Sequence, residues 1–502
     1  MRARPDSRGL LGVPALLLLA LSLLAAVSIR FDLLPWLRGP APYPPEWQWA
    51  YRPLALPRLL PALLVALLLL GGLAASASRR ARAKPRAAAR WLLAVASLLG
   101  VAFQLALLER EPQGALRALM ARAVSPSISS YHTVAVSEEA RDPLAFLRAH
   151  ARLLPQLTQG RKHAATHPPG PVLWYRGALA LCDRSPMLSE ALLAGAGVEP
   201  RDTQSPPARA LRAAALLGAL GLGLLGVLTL WPLASLAEAL GLTPLAAARL
   251  ATIFVLLPGP ALMTPALDAT VALLVTGCTA LIARASLGDS WPRTLATAAL
   301  AGISGGLGVF TSYGALTFLA LGAGTVVAAA SGVRARLRRA CAAAALAGAG
   351  ATLVAFGVPA LLGHQPLAAL RTALAVHRAL YTAPRDFALW LVFNPLDFAL
   401  FVGLPVALIG LLALRHTGRR LVACAPLSAA DRSRLAFAAG ILILLLLGVT
   451  RGEVGRLWIP LMPLVLVAAF AEASEEPSAA RAAGIGALVV ALTLAIASCW
   501  VV

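Results

Sequence analysis

Charge is what this sequence has least of. Of its 502 residues, 13% are Asp, Glu, Lys or Arg, about half the share found in a soluble domain. That excludes water as the main solvent of the folded chain. Acids are scarcer than bases, 22 against 44, which leaves a net charge of +22 with the seven histidines neutral. Cysteine is also sparse: Cys182, Cys278, Cys341, Cys424 and Cys499 show no paired spacing, which indicates neither a disulfide framework nor a zinc site. No ligand spacing specifies another metal. The apolar–polar alternation of a membrane barrel is missing, and no internal repeat or appended disordered domain is visible.

What the sequence has in quantity is apolar surface: 59% of residues are hydrophobic and the mean hydropathy is +0.77. Apolar runs recur from end to end, each of about 17–20 residues, the length that crosses about 30 Å of hydrocarbon as a helix. The pattern predicts an all-α polytopic membrane protein with about 13 transmembrane helices. Their starts fall near Leu10, Leu59, Trp91, Leu211, Ala246, Leu267, Leu295, Gly314, Cys341, Phe398, Leu435, Leu457 and Ala482. The first run follows a basic start, as in a signal peptide, but is long and is read as an uncleaved span. Three units are expected: a two-span helical pair (residues 1–78), a membrane core (79–472) and a C-terminal span (473–502).

The basic clusters then fall on one side. SRRARAKPRAAAR (Ser78–Arg90), RARLRR (Arg334–Arg339) and the arginine-rich Arg415–Arg434 segment all occupy loops on the side of the N-terminus. Positive loops face the cytoplasm, so the prediction is a multi-pass plasma (inner) membrane protein with a cytoplasmic N-terminus. Topology thus accounts for the +22, and nucleic-acid binding is not expected. On the opposite side lies a large extracytoplasmic loop, residues 109–209. That side also carries LLPGPALMTPALD (Leu256–Asp268), TSYG (Thr311–Gly314), TRGEVGR (Thr450–Arg456) and a second segment with His364 and His377. The Trp- and Tyr-rich connection RFDLLPWLRGPAPYPPEWQWAYRP (Arg30–Pro53) reads as a set of headgroup anchors.

Within the large loop, KHAATHPPGPVLWYR (Lys162–Arg176) places a rigid Pro-Pro-Gly before an apolar helix. Proline can start a helix but not continue one, so His167 is held at a helix mouth. Helix N-termini carry partial positive charge and free N–H groups. With Lys162, His163 and Arg176 nearby, the place suits a phosphate at the lipid–water boundary.

THPPG after a long outer loop resembles the GT-C superfamily of polyprenyl-phosphate-sugar-dependent glycosyltransferases, such as aminoarabinose transferases and protein O-mannosyltransferases. Further pieces are similar in order: SSYHTVAV (Ser129–Val136), FVLLPGPALMTPALDATVALL (Phe254–Leu274), GGLGVFTSYGAL (Gly305–Leu316) and TRGEVGRLWIPLMPL (Thr450–Leu464). The resemblance implies inverting transfer of a sugar from a polyprenyl-phosphate donor to an acceptor hydroxyl on the extracytoplasmic face, in the cell envelope. No organic cofactor is implied; a divalent cation serves some branches. One carboxylate must act as general base, and cations must meet the charge growing on the departing phosphate. The family usually has an acid just before the first-loop tyrosine, where this chain has Ser129 and Ser130. The carboxylates that could stand in are Glu138, Glu139 and Asp142 beyond the tyrosine, Glu109 and Glu111 before it, and Asp32 in the first outer loop; of these the base is expected to be Asp142, then Glu138. Lys162, His163, His167, Arg176, Asp268, Tyr313, Arg451, Glu453 and Arg456 are expected to bind substrate, with Glu453 orienting the arginines.

Plainer roles stand beside these. Asp142 and Glu138 also suit the start of a surface helix near Pro143, and Asp268 and Asp397 suit helix caps. His377 suits an amphipathic interfacial helix. A transporter or flippase for an amphiphile is the alternative function, as is an inert scaffold of the same architecture.

Overall fold

The computed structural model describes residues 12–199, 205–288, 290–470 and 478–500, and its regular elements there are all helical. The expected boundary between residues 472 and 473, and the expected first span start at Leu10, lie outside the described residues. Seven described helices are long and apolar enough to cross a membrane: Leu56–Ala75, Pro85–Leu108, Pro207–Ala239, Leu267–Ser286, Trp291–Thr311, Arg334–Leu361 and Ala479–Ala497. The pair Phe387–Phe401 and Leu404–Val422, bent by 114°, makes an eighth if taken as one span. Four more apolar helices, among them Pro244–Phe254 and Ala315–Ala330, are shorter. Apolar runs and spans part company where proline divides the chain. The stretch before Asp268 folds as Pro244–Phe254, a single turn Pro258–Leu262, and only then the long helix Leu267–Ser286.

Local chemistry sets these boundaries. Pro85, Pro186, Pro244 and Pro366 each occupy the first helical turn, where a missing N–H costs nothing. The Ser205 and Ser478 hydroxyls accept from the N–H groups of Ala208 and Arg481, the usual serine cap. On Leu60–Ala75, Ala62, Ala66 and Leu73 are buried while Leu64, Leu67 and Leu68 are exposed. A helix that is apolar on both faces belongs in hydrocarbon. Helices Trp291–Thr311 and Arg334–Thr352 touch through glycine: a Cβ on Gly302 would lie 2.9 Å from the Gly350 Cα. Such small-residue contacts let backbones approach where the hydrophobic effect gives no help.

Two parts of this fold place the site. The first is the helical insertion between Pro85–Leu108 and Pro206–Leu228, whose core includes Leu119, Val134, Phe146 and Val172. Its helix Gly170–Arg184 begins against the end of Trp291–Thr311. A Cβ on Gly170 would stand 2.2 Å from the Phe310 carbonyl oxygen, so the glycine of the Pro-Pro-Gly turn is required by a backbone contact. Gly170→Ala is expected to destabilise the protein by about 1–3 kcal/mol, as overpacking does, read as a lowered melting temperature in lipid nanodiscs. The second part is the connection between Gly12–Arg30 and Leu60–Ala75. Both helices pack on Ala479–Ala497, and the Arg52 and Leu54 N–H groups donate to Cys499 and Ser498 carbonyls at 2.7 Å.

Candidate functional site

Asp268 is the second residue of Leu267–Ser286, with Ala266 at the cap position. The turn before it is pinned by buried Arg122, which donates to the Thr264 carbonyl at 3.0 Å and to Glu111 at 3.0 Å. The Asp268 carboxylate is not the helix cap. It faces Arg456 at 3.7 Å, a charge contact in which the Arg456 Nε–H has no hydrogen-bond partner.

Arg456 lies on the single turn Val454–Leu457, and its Nη2 pairs with Glu453 at 2.9 Å. Glu453 in turn accepts from Arg385 at 3.1 Å. Helix Phe387–Phe401 holds this turn from below: Asn394 donates to the Thr450 carbonyl and accepts from the Gly452 N–H, and Asp397 accepts from the Gly455 N–H at 2.9 Å. Arg451 spends its guanidinium on the carbonyls of Gly448, Thr382 and Arg385, so it braces the loop. Burial would raise the Glu453 pKa, but Arg456 and Arg385 outweigh it and hold the carboxyl below its ordinary value. Burial likewise works against the Arg456 charge, yet Glu453 and Asp268 lift its pKa above the ordinary one. The bridge Asp268–Arg456–Glu453–Arg385 is thus a fixed row of alternating charge.

His167 approaches the same bridge from the Pro-Pro-Gly turn. Its Nδ1–H donates to the His163 carbonyl at 2.8 Å, and its ring meets Tyr131 edge-on at 5.3 Å. That bond fixes the tautomer and leaves Nε2 as an acceptor. Burial, the chief cause, pushes the His167 pKa down to about 3, with His163 and Arg456 adding in the same direction. His163 is lowered by burial too. The folded state therefore binds fewer protons than the unfolded chain between about 3 and 6.5 at His167, so stability rises with pH through that window. Acidification from 6.5 toward 3 should lower the melting temperature, and His167→Gln should flatten that slope; an unchanged slope counts against a neutral His167.

Two adjoining cavities, of about 110 and 250 Å³, meet at this bridge. His163, His167, Asp268, Glu453 and Arg456 line both. The larger also reaches Tyr313 and Arg451, and its rim carries Leu374, Leu447 and Val449. These three are exposed on the outside of the helical body. The smaller extends toward Ser129, Tyr131 and Asp397.

Seven of the residues singled out in the sequence thus come together: His163, His167, Asp268, Tyr313, Arg451, Glu453 and Arg456. Four do not line either cavity. Asp142 caps Pro143–Leu157, accepting from Leu144 and Ala145 N–H groups at 2.8 and 3.2 Å. Glu138 is 87% exposed and pairs with Arg141 at 3.5 Å. Lys162 is exposed and Arg176 sits half-buried along its helix. Three contributors were passed over in the sequence. Arg385 and Tyr381 gave no signal, but Asn394 did: with Asp397, read there as a cap and found inside Phe387–Phe401, it makes two polar groups three apart on one face of an apolar helix. Among the described residues no group of three or more His, Cys, Asp or Glu is placed to hold a metal ion. Compared with family models, curated proteins and solved structures, the chain gives no match.

Proposed function

We propose that this membrane protein is a glycosyltransferase of the GT-C kind, with the about 13 crossings that its apolar runs predict. In this reading it lies in the plasma (inner) membrane with a cytoplasmic N-terminus, and residues 109–209 face the outside. The observation that carries the reading is the shared charged bridge. One carboxylate, Asp268, and one guanidinium, Arg456, stand 3.7 Å apart on the wall between two cavities, and the larger cavity has a rim of exposed leucines.

The larger cavity takes the polyprenyl-phosphate sugar, its chain leaving over Leu374 and Leu447 into lipid. Three guanidinium groups face two carboxylates there (Arg385, Arg451, Arg456 against Asp268, Glu453), which favours an anion. The acceptor hydroxyl enters from the smaller cavity. Its oxygen bonds to the anomeric carbon as the carbon–phosphate oxygen bond breaks, with inversion. The hydroxyl proton passes to Asp268, and the electron pair leaves with the polyprenyl phosphate beside Arg456. His167 Nε2 accepts a hydrogen bond from a substrate hydroxyl. In this role Asp268 replaces the missing first-loop acid. Ser130, at the family's acidic position, is instead buried and accepts from the Ala164 N–H at 2.8 Å.

The test is sugar transfer by the purified full-length chain in lipid nanodiscs, using a panel of synthetic polyprenyl-phosphate sugars and mixed envelope acceptors. Transfer from at least one donor supports the reading; release of none sinks it. In the same assay Glu138→Gln and Asp142→Asn should each stay within about twofold of wild type, because exposed side chains away from the reacting atoms contribute little.

A further inference from the structure

We infer that the smaller cavity is a carbohydrate-binding site, walled by the loop between the first two helices, and that the acceptor is a neutral sugar ring. The acceptor role rests on the transferase reading above; the binding itself does not. In the sequence this loop looks like a row of headgroup anchors, and some of its aromatics do face outward: Trp36 is 48% and Tyr43 62% exposed. Trp49 is 3% exposed. It lines the cavity with Trp47 and with Trp500 from the other end of the chain.

The loop is built to hold that inward face. Arg38 pairs with Asp32 at 2.8 Å, donates to the Trp49 carbonyl at 2.7 Å, and lies 5.9 Å from the Trp49 ring. Glu46, buried, accepts from the Trp390 indole at 2.5 Å and from the Asp386 N–H at 2.9 Å. This locks the loop onto the helix that carries Asp397. Trp49 and Trp500 tilt against each other at 5.8 Å, and Phe401 meets Trp500 edge-on at 5.7 Å. The result is an aromatic wall. The buried Trp49 indole N–H has no hydrogen-bond partner.

Opposite the wall the charge balance is the reverse of that in the larger cavity. Three carboxylates (Asp268, Asp397, Glu453) face two guanidinium groups, and one of these, Arg122, is already committed to Glu111 and to the Thr264 carbonyl. An anion is disfavoured in such a place. A neutral ligand with many hydroxyls fits: its donors meet the carboxylates, and its apolar C–H face lies on the indole rings, which present negative faces to positively polarised hydrogens. A sugar ring has both properties, and a lipid tail lacks the first.

Saturation-transfer NMR on the full chain in lipid nanodiscs tests this, with a panel of methyl glycosides as probes and glycerol and a serine-containing peptide as non-sugar controls. At least one glycoside should show transfer to its ring protons. Trp47→Ala should weaken it about fivefold, the scale of one aromatic contact, and Trp47→Phe should restore most of it. Farnesyl phosphate binding is followed in the same samples and should be unchanged by either substitution. Absence of transfer from every glycoside to wild type overturns the inference, as does equal transfer with Trp47→Ala, or stronger transfer to the controls. Failure of farnesyl phosphate to bind wild type, with glycosides bound, sinks the transferase reading and leaves the sugar site standing.

Discussion

Asp268→Asn should lower the turnover of sugar transfer by about 10²–10⁴-fold, the range a positioned general base contributes. The substitution keeps the size of the side chain and removes the proton acceptor. Its effect should fall on kcat and leave binding of donor and acceptor nearly unchanged, since the amide still fills the place opposite Arg456. The prediction is sharp because Asp268 has no capping role to lose: Ala266 holds the cap position of its helix, and the charged side chain that Asp268 faces is Arg456. A retained rate would remove Asp268 from the chemistry. Asp397 and Glu453 cannot readily take its place, as Asp397 accepts from the Gly455 N–H and Glu453 pairs with both Arg385 and Arg456.

Arg456→Gln is expected to cost about 10²–10³-fold in kcat, the loss seen when one preorganised charge-stabilising donor is removed. Arg456 is the cation common to both cavities, and its Nε–H is without a hydrogen-bond partner. Arg456→Lys should recover part of the rate, because charge returns without the planar fork. Glu453 retains Arg385 in either variant, so the loop should stay folded. Combined with Asp268→Asn, the loss should be far less than the product of the single losses, since the two groups serve one transition state. Strictly multiplicative effects would place them in separate events.

The halves of the site were unequally legible. The Pro-Pro-Gly turn could be read from sequence because proline constrains its own backbone wherever it stands. The Glu453–Arg456 pair was equally readable, since residues three apart on a helical turn are neighbours. Asp142 shows the limit. A carboxylate in a long loop beside a proline serves equally as cap or as catalyst, and the structure gives it two backbone N–H partners at the start of Pro143–Leu157. Trp49 shows the same limit from the other side. Its composition-level neighbours are anchors, but Arg38 and Glu46 turn this part of the loop inward.

The sequence by itself determined the solvent and the secondary structure. Lipid as the surroundings, helix as the form, and the helix starts at proline and serine all follow from composition and from contacts within a few residues. Which carboxylate meets which guanidinium was decided by tertiary structure alone. Asp268 and Arg456 lie far apart in the chain, and their meeting depends on Arg122, Asn394 and Asp397 fastening two distant turns at one place. Such long-range closure leaves no local period for a sequence to display.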